Sequence, residues 1–308
     1  MRVVIGVIVA CVLAIAPPAA SADGDIRQVV KDLFARHQAE TDLARIKFEI
    51  DHLVDPSIDV EAQLAIIDEM VATVKGMLPS NADSWQKVET IRRYIYQSGP
   101  WNDGRPFSYD FDDPLGTSIR NHIMSDYLAD RRGNCVTMPF LFVIIGQRLG
   151  LDVWPALAPL HILVKFTDDQ GKIYNLEATS GAGVARDSHY GRLGPITKQA
   201  LANGVYLKPL NHQETLAVMA TTLLEDLLAK ERYEEAIEIA GMLLEQHPRY
   251  AYVLAKKGSA YFNLIRTEFV EQYPTMAAVP LHLRARYQHL GAMNAASFQK
   301  AEAMGWRE

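Results

Sequence analysis

The sequence predicts an α+β protein: N-terminal helices, then an antiparallel sheet packed on a cysteine-bearing helix, then a helical tail. Three observations carry this. Apolar residues recur at helical spacing up to Tyr96, turn to extended runs from Val153 to Ala178, and return to helical spacing after Leu210. With 308 residues, 49% hydrophobic and 22% charged, the chain holds enough apolar material for about two domains, and disorder is excluded. The net charge is −6 with basic residues scattered, so no Lys/Arg stripe suits a phosphate backbone and nucleic acid is not an expected partner.

The chain opens with Met1-Arg2, an apolar run from Val3 to Ala16, and small residues at Ala20 and Ala22. That order is of a secretory leader cleaved after Ala22, and it places the mature protein in the periplasm or outside the cell. The run is short for a permanent span, so no stable membrane insertion is expected after cleavage, and a lipid on Cys11 is disfavoured because apolar residues continue past it. Cleavage removes Cys11 and leaves Cys135 as a lone thiol, unable to form an internal disulfide. A chemical task and a merely buried small side chain both account for such a residue.

Helices come next. Residues 25–53 carry an interrupted apolar stripe ending before Asp55-Pro56. Val60, Leu64, Ile67, Val71, Val74 and Leu78 share one helical face, with Asp59 as N-cap and Pro79 as the stop. A third helix runs from Asp83 to Tyr96, with Gln86 completing a capping box. Between Gly99 and Gly116, Pro, Gly, Asp and aromatic residues mark a structured loop. Its Asp110, Asp112 and Asp113 lack calcium-loop spacing, so no metal is expected there. Extended segments follow at 153–158, 161–166 and 172–178, the last two joined by a turn over Thr167–Gly171. In the tail, Ala236, Pro248, Gly258 and Tyr261 fit a tetratricopeptide pattern over residues 217–250, with a second, decaying repeat from Ala251. The expected organisation is a leader at 1–22, a mixed domain at 23–210 and a helical domain at 211–308.

The chemistry centres on Gly133-Asn134-Cys135-Val136-Thr137-Met138-Pro139. Pro139 lacks an N–H and sits comfortably only in a first helical turn, so Cys135 falls at or just before a helix N-terminus. The positive end of the dipole stabilises a thiolate there by on the order of 1 kcal/mol, and the same N–H groups could bind an oxyanion. A thiolate needs a proton acceptor, and His161 is the candidate. With the turn centred on Asp169, His161 faces Glu177 across the hairpin, while Ile162 meets Leu176 and Val164 meets Tyr174 on the other face. Glu177 would then orient the imidazole, with Asn175 as second choice if the register is displaced by a pair. Each has a purely structural reading: His161 satisfying a strand end, Glu177 capping the loop from Thr179. Their joint arrangement favours chemistry. The other eight histidines show no metal-ligand spacing, and neither a metal nor a cofactor is expected.

Helix-borne Cys135, strand-borne His161 and a next-strand Glu177 followed by Ala178-Thr179 resemble the transglutaminase-like superfamily. Gly99–Gly104, Phe107–Asp110, Asp113–Gly116, Gly133–Cys135 and Asn175–Gly181 resemble, in order, its bacterial branch with C-terminal tetratricopeptide repeats, over about residues 45–265. The resemblance implies a papain-like core with residues 135, 161 and 177 as triad. Glu177 stands where the wider superfamily commonly has Asp, which lengthens the orienting arm.

Two functions follow. The first is an acyl-transfer enzyme in which Cys135 attacks an amide or ester, hydrolysis being favoured over cross-linking, and Trp101, Asn134 or a backbone N–H supports the site. Its substrate would be a peptide or protein. The second is an inactive scaffold that grips a peptide or protein partner through the core cleft and the repeat tail.

Overall fold

The computed structural model describes residues 26–37 and 42–307; the expected leader and Cys11 lie outside them. The protein is a mixed helical and sheet structure. Four helices lead: α1 (Ile26–Arg36), α2 (Leu43–Val54), α3 (Val60–Met77) and α4 (Ser84–Tyr96). Asp59 caps α3 by accepting from Ala62 N, and Asp83 with Gln86 forms the capping box of α4.

A parallel pair of two-residue strands, β1 (Ser108–Tyr109) and β2 (Arg132–Gly133), flanks α5 (Met124–Asp130). The central helix α6 (Thr137–Arg148) follows directly and is buried from Thr137 through Gly146. A helix apolar all round belongs in a core. It lies against α3, α4, α5 and two strands of a four-stranded antiparallel sheet. At Gly146 the approach is so close that a Cβ would stand 2.7 Å from Val153 Cγ2.

That sheet is formed in sequence order by β3 (Asp152–Ala158), β4 (His161–Thr167), β5 (Ile173–Glu177) and β6 (Gly183–Ala185). Even-numbered Ile162, Val164, Phe166 and Leu176 join the main core, and Trp85 closes it edge-on to Phe166 and Tyr174 at 4.9 and 4.8 Å. The odd-numbered side chains of β4 and β5 and the even-numbered ones of β3 occupy the outer face, where Ala156, Ala158 and Leu163 meet Tyr190 of α7 (Asp187–Tyr190).

The hairpin register differs from the sequence reading. Lys165 pairs with Asn175 and Val164 with Leu176, so the numbers of paired residues sum two higher than expected and His161 does not directly oppose Glu177. Thr167 stays in the strand because Asp168 organises the turn: its Oδ1 accepts from Gln170 N and Lys172 N, both at 2.9 Å, and Gly171 takes the left-handed φ of 77°.

After α8 (Lys198–Ala202) the chain is helical: α9 (His212–Met219), α10 (Thr221–Ala229), α11 (Tyr233–Gln246), α12 (Ala251–Ile265) and α13 (Leu281–Ala303). One continuous apolar cluster extends from Val30 to Ala301, with α1 against α11 and α2 against α9 and α10. No helix among the described residues is long and apolar enough to cross a membrane.

Candidate active site

Cys135 lies two residues before α6 and is half-buried. The turn is fixed from both sides. Upstream, Ser108 N donates to Arg131 O and Asp110 N to Gly133 O, tying the approach to β1. Gly133 is obligatory in this packing, since a Cβ there would lie 2.5 Å from Thr137 Oγ1 and 2.6 Å from the Tyr127 ring. Downstream, Asn134 is 1% exposed and caps the helix: its Oδ1 accepts from Val136 N at 2.8 Å and Thr137 N at 3.4 Å, and its carbonyl accepts from Met138 N at 3.1 Å.

This corrects the expectation that these N–H groups await an oxyanion, because Asn134 already holds all three. The Cys135 N–H is the donor of this turn that bonds to nothing among the described residues. The Trp101 ring lies 4.2 Å from the Arg93 guanidinium carbon, and its buried Nε1 has no hydrogen-bond partner among the described residues.

The loop after β1 packs on Asn134. Gly116, at a left-handed φ of 62°, approaches so closely that a Cβ would stand 2.5 Å from Asn134 Nδ2. Its carbonyl accepts from His122 Nε2 at 2.9 Å. The three aspartates of the loop act as turn and strand anchors. Asp113 accepts from Thr117 N, Ser118 N and Asn121 Nδ2, which hold its carboxyl well below the usual range, while Arg132 bonds Asp110 and Asp112.

On the sheet side, Pro159 and Leu160 form the two-residue turn between β3 and β4, with Leu160 at a left-handed φ of 51°. The Leu160 carbonyl thereby receives the Cys135 thiol at 3.8 Å. His161 begins β4, and its Nε2 lies 2.9 Å from Glu177 Oε2 and 3.2 Å from Oε1. The Cys135 side chain is the second hydrogen-bonding neighbour of the imidazole. Burial works against a charged imidazole, but the hydrogen bonds and charges of Cys135 and Glu177 outweigh it, and the His161 pKa is pushed up to about 9. For Glu177, burial pushes the carboxyl up, yet His161 and Thr179 hold it below its ordinary value. Thr179 supplies N at 3.1 Å and Oγ1 at 2.5 Å to Oε1, so the strand-end capping and the His161 contact are made by the same carboxylate.

The contact survives the shifted register because an offset of two keeps both residues on one face, and Glu177 reaches His161 diagonally. Asn175, the alternative partner, is committed elsewhere: its Nδ2 donates to Asp187 Oδ1 at 2.7 Å and to Ala185 O at 3.1 Å.

Two neighbours of Glu177 were not read from the sequence. His189 Nε2 lies 4.0 Å from Glu177 Oε2, and its Nδ1 is 3.3 Å from the Arg192 guanidinium, which can only donate, so Nε2 carries the proton. Tyr190 is fully buried with its ring 5.9 Å from His161. Both sit on a four-residue helix beyond β6, where neither spacing nor composition signals a link to residue 177.

A family model for the transglutaminase-like superfamily matches residues 61–221, and the chain belongs to that superfamily. Among curated proteins it is similar to a "UPF0162 protein" of Xylella fastidiosa, 23% identical over 214 residues covering 67% of this chain and 73% of the relative. It is also similar to "Protein SirB1" of Salmonella typhimurium, 19% identical over 204 residues covering 64% and 71%. No solved structure gives a significant match.

Proposed function

We propose that the protein is an exported cysteine acyl-transfer enzyme that hydrolyses an amide or peptide bond through Cys135, His161 and Glu177. The single observation that carries this is the imidazole of His161 held between the Cys135 sulfur and the Glu177 carboxylate, 2.9 Å from the latter. With Nε2 engaged by Glu177, Nδ1 is left to take the proton of the Cys135 thiol, and the raised His161 pKa favours the imidazolium that results. The thiolate attacks the carbonyl carbon and the developing oxyanion is received by the free Cys135 N–H. His161 then gives its proton to the leaving amine, and next takes one from the water that resolves the thioester.

A polypeptide substrate is supported by the surfaces beside the sulfur. Leu160, whose carbonyl bonds the thiol, is 80% exposed, and Phe111 and Leu115 of the loop on Asn134 are 80% and 86% exposed. Exposed apolar side chains on adjoining loops suit apolar residues of an extended chain. The helices after Leu210, read as tetratricopeptide-like, would offer further surface for a protein partner.

The test is alkylation of the intact chain by a low concentration of iodoacetamide across pH 5–9. Cys135 is expected to react at pH 6, and His161→Ala to slow that reaction at least tenfold. Equal rates in the two proteins across the range would reject the reading.

A further inference from the structure

The outer face of the sheet carries a largely buried lysine away from the cysteine. Lys165 lies on the same face as His161, four residues further along β4, a separation of about 13 Å at 3.3 Å per residue. It is 9% exposed, yet among the described residues its ammonium has no hydrogen bond or ion pair. The stem is buried and only the unpaired ammonium reaches the solvent of the groove, which leaves it open to an anionic partner. Its cross-strand neighbour Asn175 makes no bond to it: the Asn175 Nδ2, a donor like the ammonium, goes to Ala185 O and Asp187 Oδ1. Burial accordingly lowers the Lys165 pKa, with only the more distant charge of Asp187 opposing it.

The ammonium faces a groove. Lys165, Ile173, Asn175, Asp187, Leu207 and Pro209 line a cavity of about 480 Å³. A second cavity of about 490 Å³ shares Asp187, Leu207 and Pro209 with it. Across both linings stand four cations, Lys165, Arg186, Lys208 and Arg249, against one carboxylate, Asp187. The volume is that of a small-molecule site. Ile173 is 52% exposed on the Lys165 face at the groove, an apolar contact beside a buried charge. Neither cavity is lined by Cys135 or His161, and Tyr190, Ile196 and Leu207 cover Ala156, Ala158 and Leu163 between.

We propose that this groove is a binding site for an apolar carboxylate, whose anionic head pairs with Lys165 and whose hydrocarbon body lies on Ile173, Leu207 and Pro209. The site is separate from the cysteine centre and does not rest on the proposed enzymatic activity.

The experiment titrates the full chain with octanoate, octanamide and inorganic phosphate at constant ionic strength, read by calorimetry and by protection of Lys165 from an amine-reactive label. Octanoate is expected to bind saturably and protect Lys165, with octanamide and phosphate at least tenfold weaker. Lys165→Met and Ile173→Glu should each weaken octanoate at least tenfold, the second from an exposed position that leaves the core intact, while Cys135→Ala leaves it unchanged. A tetrapeptide ending in leucine, with free or amidated terminus, separates a peptide tail from a free acid as the source of the carboxylate: preference for the free terminus with affinity above octanoate assigns the tail, and otherwise the free acid. Equal affinity for octanoate and octanamide, phosphate binding as tightly as octanoate, or octanoate binding unchanged in both variants would overturn the proposal.

Discussion

His161 sets the pH behaviour of the site. Its ordinary pKa of 6.5 is raised to about 9 in the folded chain, so the folded state holds a proton that the unfolded chain releases between those values. The stabilisation, on the order of 3 kcal/mol, is therefore fully present below pH 6.5 and is lost as pH rises through 9. Urea unfolding at pH 6 and at pH 9.5 should show this loss, and His161→Gln should abolish it. Glu177→Gln removes the charge that favours imidazolium while keeping the shape. It is expected to lower the His161 pKa as followed by NMR and to slow Cys135 alkylation at pH 6 about tenfold or more. A His161 titration unmoved by that change would show the carboxylate to be a strand cap for Thr179 alone.

At the scale of elements, the decisive piece is the turn into α6. Asn134→Ala deprives Val136 N and Thr137 N of their acceptor and should cost about 1–2 kcal/mol in urea unfolding, with slower alkylation of Cys135. Much of this element was legible. Pro139 in the third helical position and the apolar run behind it locate the helix start, and the capped α3 and α4 follow from Asp59 and Asp83 with Gln86. The hairpin was legible to within one pair. The misplaced residue was Asp168, whose side chain nucleates the loop one position later than composition suggested. Parity was kept, and since side-chain facing depends on parity alone, His161 still meets Glu177. What could not be read was contact between distant segments. The return of His189 to Glu177 depends on a backbone path that no local spacing encodes, whereas the capping by Asn134, two and three residues from its donors, was within reach of the local pattern.

Across the whole molecule, a buried ion pair joins the first and last parts of the chain to the segment before the cysteine. Lys47 and Asp51 of α2 are both fully buried and bonded to each other. Lys47 Nζ also donates to His122 O at 2.7 Å and Thr222 Oγ1 at 3.4 Å, and Asp51 Oδ2 accepts from Met124 N at 2.8 Å. His122 in turn holds Gly116, the residue against Asn134. Breaking one half of a buried pair strands the other charge, so Lys47→Met should cost about 3–5 kcal/mol in urea unfolding, whereas Lys47→Met with Asp51→Leu should recover most of it. The tip of the β3–β4 hairpin carries a different consequence. The sulfur is held by the carbonyl of residue 160 and the imidazole belongs to residue 161, so both of its neighbours travel on one peptide unit. A swing of that tip would carry both neighbours away from the sulfur together.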